Sequence, residues 1–259
     1  MKPLHLQPHC IEDPIVLDGI RGINSVKEIK KFKGYVGGGM AVQGYLPKEE
    51  YRDTIDLDFT LLWNGRWTNF KDVMEPLVDS LKKEGYHFEY QKKGMTYEVT
   101  LSKPEGSLLL QHPRKSPGNY ERNKSCLERE ISNSRVLTKG GVSYSALSPE
   151  DLALHKLCRS LTFKDRYSLS FPNHCDMASL KKSADALRAE LKDRWPSVEI
   201  QDVARFRLIN DLLDVRCLAT HAGFNKSYFE ESSVDWECER ANSTDFSRLL
   251  DRLEIDLSK

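Results

Sequence analysis

Asp56 and Asp58 stand one residue apart in Ile55-Asp56-Leu57-Asp58-Phe59-Thr60, where apolar and polar side chains alternate. Alternation at period two is the pattern of a strand with one buried face, and it sends both carboxylates to the other face, about 6 to 7 Å apart along the backbone. Two like charges so placed repel, and a cation between them relieves the repulsion. Hard carboxylate oxygens suit Mg²⁺, which also binds nucleotide phosphates. The spacing by itself favours a solvated strand face over a metal grip.

Gly37-Gly38-Gly39 follows the short apolar run Tyr35-Val36 and precedes Met40-Ala41-Val42. Without Cβ atoms the backbone can approach a ligand closely, and successive N–H groups at the start of a helix can cradle a triphosphate. The run lacks the Gly-Lys-Ser/Thr of a Walker A loop and is not a G-x-G-x-x-G dinucleotide turn. Alone, a triple glycine is more often just a tight turn.

The surrounding periodicities supply elements to position these residues. Apolar positions Val16, Ile20, Ile23, Val26, Ile29 and Phe32 predict a helix over 16–32, weakened near Gly19 and Gly22. Residues 51–63 read as the aspartate strand, closing at the Asn64-Gly65 turn. A helix follows over 69–84 to Gly85. Tyr86-Phe88-Tyr90, Tyr97-Val99-Leu101 and Leu108 to Leu110 then mark three more strands, with Thr96, Glu98 and Thr100 on a polar face. From Ser148 the pattern turns helical, with a start at Ser148-Pro149-Glu150-Asp151 and further helices over 174–194 and 202–222.

The formal net charge is zero, but it is unevenly spread: residues 111–140 hold seven Lys or Arg against three Glu, and residues 231–259 hold eight acids against four bases. Arg114, Lys115, Arg122 and Lys124, with Tyr120 among them, would suit an RNA backbone and one stacked base, or a solvated charged loop. Six scattered cysteines without a C-x-x-C pair read as reduced thiols, and neither His5-His9-Cys10 nor His174-Cys175 has a familiar metal-ligand spacing. With no apolar run near the roughly 20 residues of a membrane span and no leader-like start, the expectation is a cytoplasmic protein.

Taken in order, Gly38-Gly39-Met40-Ala41 and Arg52-Asp53-Thr54-Ile55-Asp56-Leu57-Asp58 closely resemble the signature of the nucleotidyltransferase superfamily, in particular its AbiEii-type branch. That branch joins a GG-x-A turn to an R-x-T-x-D-x-D strand. Leu147-Ser148-Pro149-Glu150-Asp151-Leu152 with Lys156-Leu157 resembles its L-S-P-E-E-L…K-L helix, and Asp176-Met177-Ala178-Ser179-Leu180 its D-L-x-D-L element. The matches span about residues 35–180.

The resemblance implies an α+β fold: a nucleotidyltransferase-type mixed sheet with flanking helices over residues 1–145, then a helical domain over 146–259 that completes the active-site cleft. It implies Mg²⁺-dependent transfer of a nucleotidyl group from a nucleoside triphosphate to an acceptor. The acceptor would be tRNA for a toxin of a bacterial toxin–antitoxin pair, with a cognate antitoxin as partner. Transfer to a small molecule such as an aminoglycoside, or a binding scaffold without catalysis, are the alternatives.

On the resemblance Asp56 and Asp58 hold the metal, while Gly38, Gly39, Arg52 and Thr54 seat the nucleotide. Lys156 contacts the triphosphate, and Asp176 activates or positions beside it. Two other placements compete, a solvated Lys156 near Arg159 and an Asp176 sitting third in a helix capped by Asn173. The chain departs from the pattern at Gly39, where compact members carry Ser, and at Ser179, where the element's second aspartate is missing. The third metal carboxylate is left to Glu98 as the candidate.

Overall fold

A computed structural model describes residues 8–63, 67–113, 117–194, 197–235, 243–253 and 255, with the backbone alone at 67–68, 117–123, 234–235 and 243–247. The chain divides into two compact units, 1–148 and 149–259.

The first unit is built on a seven-stranded mixed sheet. Its strands are β1 (Gly34–Val36), β2 (Asp56–Leu61), β3 (His87–Lys93), β4 (Thr96–Lys103), β5 (Gly106–Pro113), β6 (Arg135–Lys139) and β7 (Val142–Ala146), in the order β3-β4-β5-β2-β1-β7-β6. β2 lies inside the sheet, antiparallel to β1 and parallel to β5. Its alternation therefore sorts as the sequence predicts: Leu57, Phe59 and Leu61 are buried, while Asp56 and Asp58 are half-buried on the opposite face. The Asn64-Gly65 turn lies outside the described residues.

Helices α1 (Pro14–Lys30), α2 (Gly38–Tyr45), α3 (Trp67–Lys82) and α4 (Pro117–Asn133) accompany the sheet. The predicted weakness at Gly19 and Gly22 is corrected, because α1 runs unbroken through both. A Cβ at Gly19 would lie 3.0 Å from Leu108 and 3.2 Å from Leu57, and one at Gly22 would lie 2.7 Å from Leu77. These glycines let α1 sit close on the sheet and on α3, and the burial of Ile20 and Ile23 outweighs their low helix propensity. Ile29, assigned to the same apolar stripe, is instead 64% exposed.

Two further corrections concern polarity. The Thr96-Glu98-Thr100 face of β4 is buried, with Glu98 and Thr100 only 2% and 3% exposed, because β4 lies between β3 and β5 with both faces covered. Much of the basic stretch is helix α4 rather than loop. Its apolar Leu127 is buried, and Glu130 accepts a hydrogen bond from the Tyr35 hydroxyl.

The second unit is helical: α5 (Pro149–Tyr167), α6 (Met177–Asp193), α7 (Ile200–His221), α8 (Lys226–Asp235) and α9 (Ser243–Arg252). α7 packs against α5 and α6 and buries Leu208, Leu212, Val215 and Leu218. Among the described residues no helix is long and apolar enough to cross a membrane. Cys10, Cys126, Cys175 and Cys217 are free thiols, but Cys158 is disulfide-bonded, contrary to the reading of all six as reduced. Proximity of two sulfurs is a tertiary property that distance along the chain does not report.

Candidate active site

The sheet delivers Asp56 and Asp58 to the glycine turn through the pairing of β1 with β2. Gly37 N–H donates to the Asp58 carbonyl at 2.9 Å, so the turn leaves β1 directly beside the second aspartate. Gly38 has φ +61°, and a Cβ on it would fall 1.9 Å from Asp58 Oδ2. No side chain fits between the backbone and the carboxylate, and the left-handed conformation independently favours glycine. The first helical hydrogen bond of α2 runs from Ala41 N–H to Gly37 O at 3.2 Å, so the amides of Gly38, Gly39 and Met40 precede the helical ladder. Burial of Met40, Ala41 and Val42 holds that helix start in place.

A second segment closes over the turn. Thr54 Oγ1 donates to Asp56 Oδ1 at 3.2 Å. A Cβ at Gly39 would meet Thr54 Oγ1 at 2.9 Å and Arg52 Nη2 at 3.2 Å, so Arg52 and Thr54 lie against the second glycine. Arg52 thereby sets a guanidinium next to amides that already favour an anion. This segment is tied down by Gln43, which sequence reasoning missed. Gln43 is 1% exposed; its Nε2 donates to Arg52 O at 2.5 Å and its Oε1 accepts from Ile11 N–H at 2.8 Å. A bridge between His9 and Thr54 adds a backbone link. The signal in the sequence was a lone glutamine directly after the apolar Met40-Ala41-Val42 run, a position that demands hydrogen-bond partners once buried.

The arrangement joins two carboxylates to a set of N–H donors and one guanidinium. Hard oxygens fit a divalent cation, and the adjoining amides fit the phosphates such a cation carries. Two carboxylates suffice for Mg²⁺, which commonly keeps waters and substrate oxygens in its remaining positions.

Glu98 does not join them. It stands on β4, with β5 between it and β2, and among the described residues no three His, Cys, Asp or Glu side chains are grouped to hold a metal. His9, whose neighbours His5 and Cys10 were weighed as ligands, has its Nε2 2.8 Å from Ser107 O, with Asp13 at 3.4 Å from Nδ1; His5 lies outside the described residues.

Lys156 and Asp176 belong to the helical unit. Lys156 is not on a solvated side of α5: it is 3% exposed, with Nζ 2.6 Å from Asp214 and 3.4 Å from Asp211 on α7. Arg159 bonds both oxygens of the same Asp211. Asp176 is itself the N-cap of α6, not its third residue, and accepts from Ser179 N–H at 2.9 Å. The Ser179 hydrogen bonds hold its carboxyl below the ordinary value of 3.8.

Of the basic stretch, Arg114 and Lys115 lie outside the described residues, as do the side chains of Tyr120 and Arg122. Lys124 and Arg135 are exposed, whereas Lys139 donates to Leu46 O at 3.1 Å.

No family model matches the chain, and no curated protein matches it. Solved structures similar to the chain include two nucleotidyltransferase-related proteins. One is an antigenic nucleotidyltransferase-like protein from Paracoccidioides brasiliensis, at 12% identity over 95% of each chain with a TM-score of 0.46. The other is the antibiotic-resistance factor ANT(2'')-Ia, at 13% identity over 83% of this chain and 94% of that chain, with a TM-score of 0.35.

Proposed function

We propose that the protein is a Mg²⁺-dependent nucleotidyltransferase, moving a nucleoside monophosphate from a nucleoside triphosphate to an acceptor hydroxyl. The observation that carries this reading is the contact between the glycine turn and Asp58, where a Cβ on Gly38 would overlap the carboxylate. Cation ligands and anion donors meet there at backbone distance, as a metal-bound triphosphate requires.

Asp56 and Asp58 would hold the metal. When bound, it lowers the acceptor's pKa and offsets charge on the phosphoryl oxygens. The amides of Gly38, Gly39 and Met40 cradle the phosphates, and Arg52 adds a charged donor. Thr54 orients Asp56 through its hydroxyl, while Gln43 keeps the Arg52 segment against the turn. Together these groups fix the α-phosphorus for in-line attack, with pyrophosphate as the leaving group. The motif resemblance also implies roles for Lys156 and Asp176, but within the helical unit the ion pairs of Lys156 and the capping by Asp176 account for both residues, and neither enters the proposed chemistry.

For the acceptor we infer tRNA, in a toxin of a toxin–antitoxin pair with a cognate antitoxin. This rests on the resemblance to the AbiEii-type branch, with Lys124 and Arg135 as exposed cations. The test is incubation of the purified protein with Mg²⁺, each labelled nucleoside triphosphate in turn, and total RNA or protein. Transfer to RNA that is absent in Asp58→Ala is expected; full transfer by Asp58→Ala would overturn the reading. Loss of tRNA affinity with rising salt, and growth arrest on expression that Asp58→Ala reverses, are the expected results for the acceptor.

A further inference from the structure

The sheet face that carries Asp58 continues into a polar pair to which the proposed chemistry gives no role. Gln111 of β5 is in register with Asp58, and Glu98 of β4 is in register with Gln111, so the three side chains share one face across neighbouring strands. Beside Asp56 the same strand presents Leu109. Gln111 is therefore the polar group that β5 sets next to the aspartate pair.

Glu98 is 2% exposed, and both of its hydrogen bonds fall on one oxygen: Gln111 Nε2 donates to Oε1 at 2.8 Å and Thr96 Oγ1 at 3.1 Å. Its Oε2 is buried and has no hydrogen-bond partner among the described residues. A half-satisfied buried carboxylate is a poor way to stabilise a sheet, since a neutral side chain would be desolvated at lower cost. Its chemistry does one thing that a neutral group would not. With Oε1 as the acceptor, Glu98 takes the nitrogen end of the Gln111 amide and leaves the carbonyl oxygen for another partner.

We propose that Gln111 is an uncharged oxygen donor to the cation held by Asp56 and Asp58, and that Glu98 is a positioning residue that sets which end of the amide faces it. The proposal rests on the metal reading above. Two aspartates already match a divalent charge, so a third carboxylate at Gln111 would add repulsion, whereas an amide carbonyl adds a hard oxygen without charge.

The test is Mn²⁺ binding to the full chain, followed by calorimetry and by electron paramagnetic resonance of the free ion, with circular dichroism to confirm folding. Gln111→Ala should weaken Mn²⁺ binding by at least about 10-fold, no less than the loss typical of residues that only orient a metal ligand. Glu98→Gln should weaken it in the wild-type background and have no further effect in Gln111→Ala, because Glu98 acts through the amide. Wild-type affinity in Gln111→Ala would overturn the proposal. So would an equal effect of Glu98→Gln in both backgrounds, which marks a simple loss of nearby charge. Asp58→Asn separates this inference from the reading beneath it. If Asp58→Asn binds Mn²⁺ as the wild type does, the metal reading itself fails; if it loses Mn²⁺ while Gln111→Ala keeps it, only the role of Gln111 fails.

Discussion

Each unit brings two aspartates close together and treats them in opposite ways. In the helical unit Asp211 and Asp214 are 1% and 2% exposed, and the chain itself supplies their counter-charges from Lys156 and Arg159 on α5. In the sheet unit Asp56 and Asp58 are half-buried against glycine backbone, and Asp56 accepts from the neutral hydroxyl of Thr54. Removing Lys156 leaves Asp211 and Asp214 one buried cation short, whereas removing Asp56 or Asp58 lessens the like charge on one strand face. Depth of burial, rather than residue type, separates the aspartates enclosed within the helical unit from those the sheet leaves open to a ligand.

The comparison breaks most sharply at Asp58. Asp58→Asn should reduce nucleotidyl transfer by about 10³-fold, the several kcal/mol that metal charge stabilisation supplies, while changing the melting temperature less than loss of a buried ion-pair partner does. A clear drop in melting temperature would make Asp58 a structural residue like Asp211. Lys156→Ala should do the reverse on the stability axis. It leaves Asp211 and Asp214 short of a cation and should cost about 3–5 kcal/mol, measured by urea denaturation.

Gly38→Ala places a Cβ into Asp58 at a positive φ. It should destabilise the sheet unit by about 1–3 kcal/mol and weaken nucleotide binding, which fluorescence titration with a labelled triphosphate would read. Gln43→Ala frees the Arg52 segment and leaves Ile11 N–H without its acceptor, a loss of about 1–3 kcal/mol with weaker nucleotide binding.

The smallest effect is expected at Asp176. Its folded pKa is depressed, so its contribution is present above the unfolded value of 3.8 and is lost as pH falls through the folded one. Asp176→Asn keeps the cap, since Asn caps as well as Asp, and should flatten only that acid limb of a melting-temperature profile. Lost transfer at an unchanged melting temperature would give the carboxylate a chemical role beyond capping.

Much of the sheet unit was legible in the chain. Asp56 and Asp58 alternate with Leu57 and Phe59 because a half-buried strand imposes period two, and the glycine turn announces itself because few other residues tolerate that backbone. The α1 glycines were misread: propensity is local, and the close packing onto Leu57, Leu77 and Leu108 that overrides it is not. Glu98 looked like the polar side of a strand, since alternation does not distinguish a solvated face from one covered by other elements.

By itself the sequence determined which residues alternate, where the glycine turn sits and how the motifs follow one another, because these depend on spacing along the backbone. Only the tertiary structure decided that Gly38 lies against Asp58, that Gln43 ties down Arg52, that Lys156 is held between Asp211 and Asp214, and that Gln111 stands between Asp58 and Glu98. Each of these joins residues from separate elements. Strand register and helix packing set such distances, and they arise from burial over the whole unit rather than from any local run of residues.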